Sequence, residues 1–149
     1  MPLHRFAIGF VVGRSSHIMS QAFRATFSAA GHTITPEEWG LLNRLWERDG
    51  QRQAELADAT IRDRTTVTRL LDGMVAKGLV RRETDPTDRR AVQGWLTDEG
   101  RALRNQLIPI SEGLLHRATR GISKREIRVT IATLRKLQAN LTATDDEST

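Results

Sequence analysis

Two short stretches of this 149-residue chain carry side chains suited to chemistry on an anionic partner. The first, Arg64-Thr65-Thr66-Val67-Thr68-Arg69, gathers hydroxyls and guanidiniums within six residues. The second, Asp85-Pro86-Thr87-Asp88-Arg89-Arg90, sets two adjacent arginines behind two carboxylates and a proline. A guanidinium is a planar fork of donors that never loses its charge. It therefore grips a phosphate, or the O6 and N7 edge of guanine, with two parallel hydrogen bonds. A threonine offers its hydroxyl to a phosphate or a base and its methyl to thymine.

Other chemistries find less support. His4, His17, His32 and His116 lack the paired spacing of a zinc site, so no metal is expected. No nucleophile motif or glycine-rich phosphate loop is present, and neither an enzyme nor a cofactor is expected. The chain has no cysteine, which removes disulfides, thiolate metal sites and thiol redox sensing. Its net charge of +5 favours an acidic partner, nucleic acid before an anionic membrane surface. Between Arg62 and Arg90 eight basic residues face five acidic ones, an excess too small to act without specific placement. From Arg117 to Lys136 the ratio is seven to one, which reads as a solvated face or as a contact to flanking phosphates. The apolar run Phe6–Val12 is short for a secretory signal and reads as the start of a buried helix. Nothing approaches the ~20 apolar residues of a membrane span, and a cytoplasmic location is expected.

The elements that must position these residues are mostly helical. Apolar residues recur at three- and four-residue steps from Phe6 to Phe27, with Gly31 as a stop. Thr35, Pro36 and Glu38 spell a capping box with proline in the first turn of a helix that carries Trp39, Leu42 and Trp46 on one face and that Gly50 ends. Two shorter helices follow, around Gln53–Ala59 and Asp63–Gly78, joined by a sharp turn. Asp63 caps the second, Val67, Leu70, Leu71 and Met74 form its inward stripe, and Gly78 takes the left-handed position past its end. The period then drops from 3.6 to 2. Residues 79–84 and 91–97 read as a hairpin around the Asp85–Arg90 tip. Thr97 caps a long helix kinked at Pro109, and Ser123 with Glu126 opens a last one with an apolar stripe from Ile127 to Leu141. The tail from Thr142 is polar and acidic.

The ordered series from Thr65 to Gly100 resembles the MarR family of winged helix-turn-helix regulators. It contains a recognition helix, a "KGLV-R" strand, a "D-x-R" tip and an "LT-x-x-G" helix start. Thr60 departs from the pattern, standing where the family often has glycine. The resemblance implies a mainly α fold with a small β-hairpin wing: a winged helix-turn-helix over 35–97 and a helical dimerisation region from 1–34 and 98–149, in one continuous folded unit. It further implies an obligate homodimer on pseudo-palindromic double-stranded DNA, a transcriptional repressor released by a small-molecule effector.

On that footing Arg64, Thr65, Thr66, Thr68 and Arg69 meet base edges or phosphates in the major groove. Arg90, matching the arginine of the "D-x-R" tip, enters the minor groove, where a cation senses width. Asp88 braces the Arg90 guanidinium, Arg89 meets a phosphate, and Asp85 and Pro86 shape the turn. An effector pocket would draw on His17 and Trp39 and suit a small aromatic or anionic molecule, although Trp39 reads more readily as core. The competing functions are a winged-helix protein-interaction module without DNA binding and a membrane-surface protein. The arginines at the wing argue against the first, and the lack of a basic helix with a large apolar face argues against the second.

Overall fold

The computed structural model describes residues 3–60 and 62–143. The tail from residue 144, the His4 side chain and Ile61, in the stretch that the sequence reads as a sharp turn, lie outside what is described. Among the described residues there are six helices and three strands. Their order is α1 (Leu3–Ala29), α2 (Pro36–Glu47), β1 (Gln51–Arg52), α3 (Gln53–Thr60), α4 (Arg64–Ala76), β2 (Val80–Thr84), β3 (Val92–Leu96), α5 (Asp98–Ala118) and α6 (Lys124–Thr142). Packing divides the chain into two compact units, one ending at Leu114 and the other beginning at Leu115.

Local signals set most boundaries. The Thr35 hydroxyl accepts the Glu38 N–H at 3.1 Å while Glu38 Oε1 accepts the Thr35 N–H at 3.2 Å, so two otherwise unpaired donors of α2 are satisfied reciprocally. Ser123 and Glu126 do the same for α6. Gly31, with φ +86°, and Gly78, with φ +74°, take the left-handed turns past α1 and α4. Helix α2 stops at Glu47, three residues before Gly50. The reason lies beyond the helix: the buried Gln51 donates from Nε2 to the carbonyls of Arg44 and Arg48, both at 2.7 Å, and so satisfies the helix end. Helix α5 remains one element through Pro109.

The sheet has the order β1-β3-β2, antiparallel throughout. Its central strand, β3, runs beside β2 from Val80↔Leu96 to Thr84↔Val92, and the two-residue β1 pairs on its other edge. Residues 51–52 show no alternation, so this third strand has no signature in the sequence.

One apolar core joins α1 to α5 in the first unit, centred on Phe27, Leu41, Leu42, Leu56, Leu71, Met74 and Leu107. Phe23, Phe27, Trp39 and Trp46 form an aromatic row beside it, with ring centroids 5.2–6.4 Å apart. Only the C-terminal end of α1 shares in this. The run Phe6–Val12 is helical, but it is exposed in the single chain instead of buried, with Phe6 63% and Phe10 69% accessible. A 27-residue helix is about 40 Å long, far longer than the 12-residue α2 that covers its end. In the second unit α6 has no fully buried residue, and Ile131 and Leu141 are exposed.

Candidate nucleic-acid interface

Helix α4 presents the first cluster. Its N-cap is Asp63, whose Oδ1 accepts the Thr66 N–H at 2.6 Å. That bond, together with the Thr66 hydroxyl and then the charges of Arg69 and Arg62, holds the Asp63 carboxyl below its ordinary range. Val67, Leu71 and Met74 are fully buried on the inner side. Helical geometry then turns Arg64, Thr65, Thr68 and Arg69 outward, with Thr66 half-buried at the border. The Thr68 hydroxyl is already engaged: it donates to the Arg64 carbonyl at 2.8 Å and accepts from Gln53 Nε2 at 3.2 Å. Its one proton is therefore spent, and the methyl and a second lone pair are what it has left to offer a partner.

The second cluster sits on the loop between β2 and β3. Asp85 donates its N–H to the Ala91 carbonyl at 2.9 Å, closing the loop, and Ala91 returns a bond to the Asp88 carbonyl at 3.0 Å. Asp85 is buried. Its Oδ1 accepts the N–H and hydroxyl of Thr87 at 2.8 and 2.7 Å, and its Oδ2 accepts Arg52 Nε at 2.6 Å. The two Thr87 bonds, helped by the Arg52 bond and charge, lower the Asp85 pKa to about 2.

Asp88 acts differently from the sequence expectation. Its Oδ1 accepts the Arg90 backbone N–H at 3.0 Å, so its bond is to the main chain of the tip and not to the Arg90 guanidinium. An aspartate reaches the N–H two residues on within a single turn, and this local bond wins. Arg89 and Arg90 are exposed. Among the described residues neither they nor Arg64 and Arg69 have a carboxylate partner. Arg82 is the contrast. It donates to the Thr68 carbonyl at 2.8 Å and pairs with Asp72, which binds β2 to α4 and commits its charge internally.

Four of the expected residues come together. Arg64 and Thr68 from α4, and Asp88 and Arg90 from the loop, line one cleft of about 340 Å³ together with Arg52 and Gln53. Thr66 and Arg69 line a different cleft of about 340 Å³ on the other flank of α4, beside Arg24, Arg62, Glu38 and Lys77. Thr65 and Arg89 are exposed and line neither. His17 is exposed on α1, and Trp39 is half-buried between Phe27 and Trp46. Among the described residues no group of three or more histidines and carboxylates is placed to hold a metal ion, and no helix is long and apolar enough to cross a membrane.

Sequence reasoning missed three contributors. Arg52 and Gln53 meet partners 33 and 15 residues away, beyond any periodic signal. Lys77 bonds both oxygens of the buried Glu38 at 2.8 and 2.9 Å and also the Thr33 carbonyl, fastening the end of α4 to the start of α2. The capping-box pattern identified Glu38 but gave no hint of this second partner.

Comparison with known proteins adds a lineage to this geometry. A model of the MarR family matches residues 34–92, from just before α2 to the first residue of β3. The HTH-type transcriptional regulator TtmR of Methylorubrum extorquens is 35% identical over 98 residues, 66% of this chain and 49% of that protein. The chain thus matches about half the length of that relative. The crystal structure of a MarR-family transcriptional regulator from Silicibacter pomeroyi has a TM-score of 0.74 at 30% identity, covering 97% of this chain and 95% of that one. Bordetella bronchiseptica BpsR, whose DNA binding is regulated by 6-hydroxynicotinic acid, has a TM-score of 0.80 at 25% identity over 92% of this chain and 94% of its own.

Proposed function

The chain belongs to the MarR family of transcriptional regulators, and from that premise we propose that it binds pseudo-palindromic double-stranded DNA in the cytoplasm as a homodimeric repressor released by a small-molecule effector. The observation that carries the DNA reading is the shared cleft. Arg64 of α4 and Arg90 of the loop face one concavity, and both guanidiniums are unpaired with carboxylates among the described residues. In this reading the first turn of α4 enters the major groove with Arg64, Thr65, Thr66, Thr68 and Arg69. The β2–β3 loop serves as a wing, with Arg90 in the minor groove and Arg89 on a phosphate.

The dimer would draw on residues 1–34 and 98–149, with 35–97 reading DNA. The apolar side chains exposed at each end of the chain, Phe6, Phe10 and Ile18 on α1 and Ile131 and Leu141 on α6, support that role. In a two-fold dimer the recognition helices would enter grooves roughly 34–36 Å apart. For the effector, His17 and Trp39 remain the candidate lining. The response of BpsR to a small aromatic acid supports an anionic aromatic ligand.

The test is a titration of the purified chain against duplex DNA from upstream of its own gene, at several salt concentrations. Binding should weaken steeply with salt, because phosphate contacts release counterions. Loss of the complex on adding 6-hydroxynicotinic acid would support the effector class. No binding to any such duplex, with the dimer intact by sedimentation, would leave a protein-interaction module as the reading.

A further inference from the structure

We propose that Arg52 is a positioning residue for DNA recognition: it clamps the base of the wing through Asp85, while its neighbour Gln53 holds the recognition helix at Thr68. This adjacent pair then sets the spacing between the two DNA-reading elements. The proposal rests on the DNA-binding reading above and assigns the pair a part in it.

The geometry is specific at both ends of the Arg52 side chain. Its main chain is fixed by pairing with Gln93 across β1 and β3, and its N–H donates to Glu55 Oε2 at 3.1 Å at the start of α3. Its guanidinium donates Nε to Asp85 Oδ2 at 2.6 Å and Nη2 to the Thr87 hydroxyl at 3.4 Å. The Asp85 side chain is 5% exposed, against 40% for Arg52. The carboxylate is therefore the enclosed member. Without Arg52 one of its oxygens would be buried with no donor, a costly state relieved by opening the loop. A lysine ammonium lacks the planar fork that serves Asp85 and Thr87 together.

Gln53, the next residue, donates to Thr68 Oγ1 on the exposed side of α4. The wing and the recognition helix are thus tied to consecutive residues of one short segment. Both line the cleft that Arg64 and Arg90 face. Pairing with Asp85 also commits the Arg52 charge, leaving Arg64 and Arg90 as the open cations of that cleft. The alternative is that Arg52 is itself a phosphate contact, and the two roles separate experimentally.

The experiment has two arms on the full chain. In the first, trypsin digestion of the free protein is followed by mass for cleavage after Arg89 and Arg90. Arg52→Met and Asp85→Asn should each speed it several-fold, the double variant no further, and Arg52→Lys should fall between, with circular dichroism unchanged. Wing cleavage at the wild-type rate in both single variants would overturn the clamp. In the second arm the same variants are titrated against the upstream duplex. Arg52→Met and Asp85→Asn should weaken binding by a similar factor, about 5- to 10-fold, non-additively, and with the salt dependence of the wild type. A salt slope reduced by about one, with additive losses, would instead make Arg52 a phosphate contact and overturn its positioning role. If the wild type itself fails to bind, the DNA reading falls and Arg52's role in recognition with it. The cleavage arm reads the clamp regardless.

Discussion

The recognition helix and the wing face one cleft but are held in opposite ways. Helix α4 is seated by Val67, Leu71 and Met74, all fully buried. Between Asp85 and Arg90 the wing buries no apolar side chain, and its only buried residue is the Asp85 carboxylate itself. Apolar burial is non-directional and involves no titratable group. A hydrogen-bonded carboxylate is directional and fails when one partner is removed. The helix is thus part of the global folding unit, whereas the wing is poised to open locally while the rest stays folded.

The largest effect expected from breaking this contrast is on stability. Leu71→Ala should cost about 2–5 kcal/mol in a urea titration and release helix and wing together. A variant that loses only the wing would contradict the assignment of α4 to the shared core. Next comes Arg90→Ala, which should leave the melting temperature and the oligomeric state unchanged and weaken DNA binding by about 1–3 kcal/mol. Undiminished affinity in the titration would remove Arg90 from the interface.

Thr68 sharpens the comparison at smaller scale. Thr68→Ser keeps the hydroxyl that Gln53 bonds and deletes only the methyl, so it should lose roughly 0.8 kcal/mol, about fourfold. Undiminished affinity would mean that the methyl does not meet DNA. The smallest effect is acid sensitivity. Asp85 falls from an ordinary 3.8 to about 2 in the folded chain, so its stabilising contribution is full above about pH 4 and disappears as the pH falls through about 2. Denaturant titrations between pH 5 and 2 should show a shallower acid loss for Asp85→Asn than for the wild type. Equal slopes would place the wing's support elsewhere.

Local chemistry made much of the molecule legible in the chain. The Thr35–Glu38 and Ser123–Glu126 boxes, the Asp63 cap, the stop at Gly31 and the left-handed Gly78 were all readable. Each depends on a bond or a backbone constraint spanning a few residues, where sequence spacing is nearly spatial spacing. The inward stripe of α4 followed from its period, and with it the outward side carrying Arg64, Thr68 and Arg69. Asp85 was legible as a turn former but not as a buried anchor, and Asp88 was assigned the wrong part of Arg90. Side-chain bonds in a loop are decided by competing donors that only the folded backbone brings near.

The sequence by itself determined where the capped helices begin, which face of α4 turns inward, and that two arginines stand at the tip of a hairpin. Only the tertiary structure decided that Arg52 meets Asp85, that Gln53 meets Thr68, and that Trp46 donates to the Gly100 carbonyl at 2.9 Å across 54 residues. It also decided that Phe6–Val12 stays exposed in the single chain, because α1 outruns α2. A two-residue strand such as β1 has no periodicity to read. Its place at the edge of β3 exists only once the hairpin has folded, and the position of Arg52 follows from that pairing.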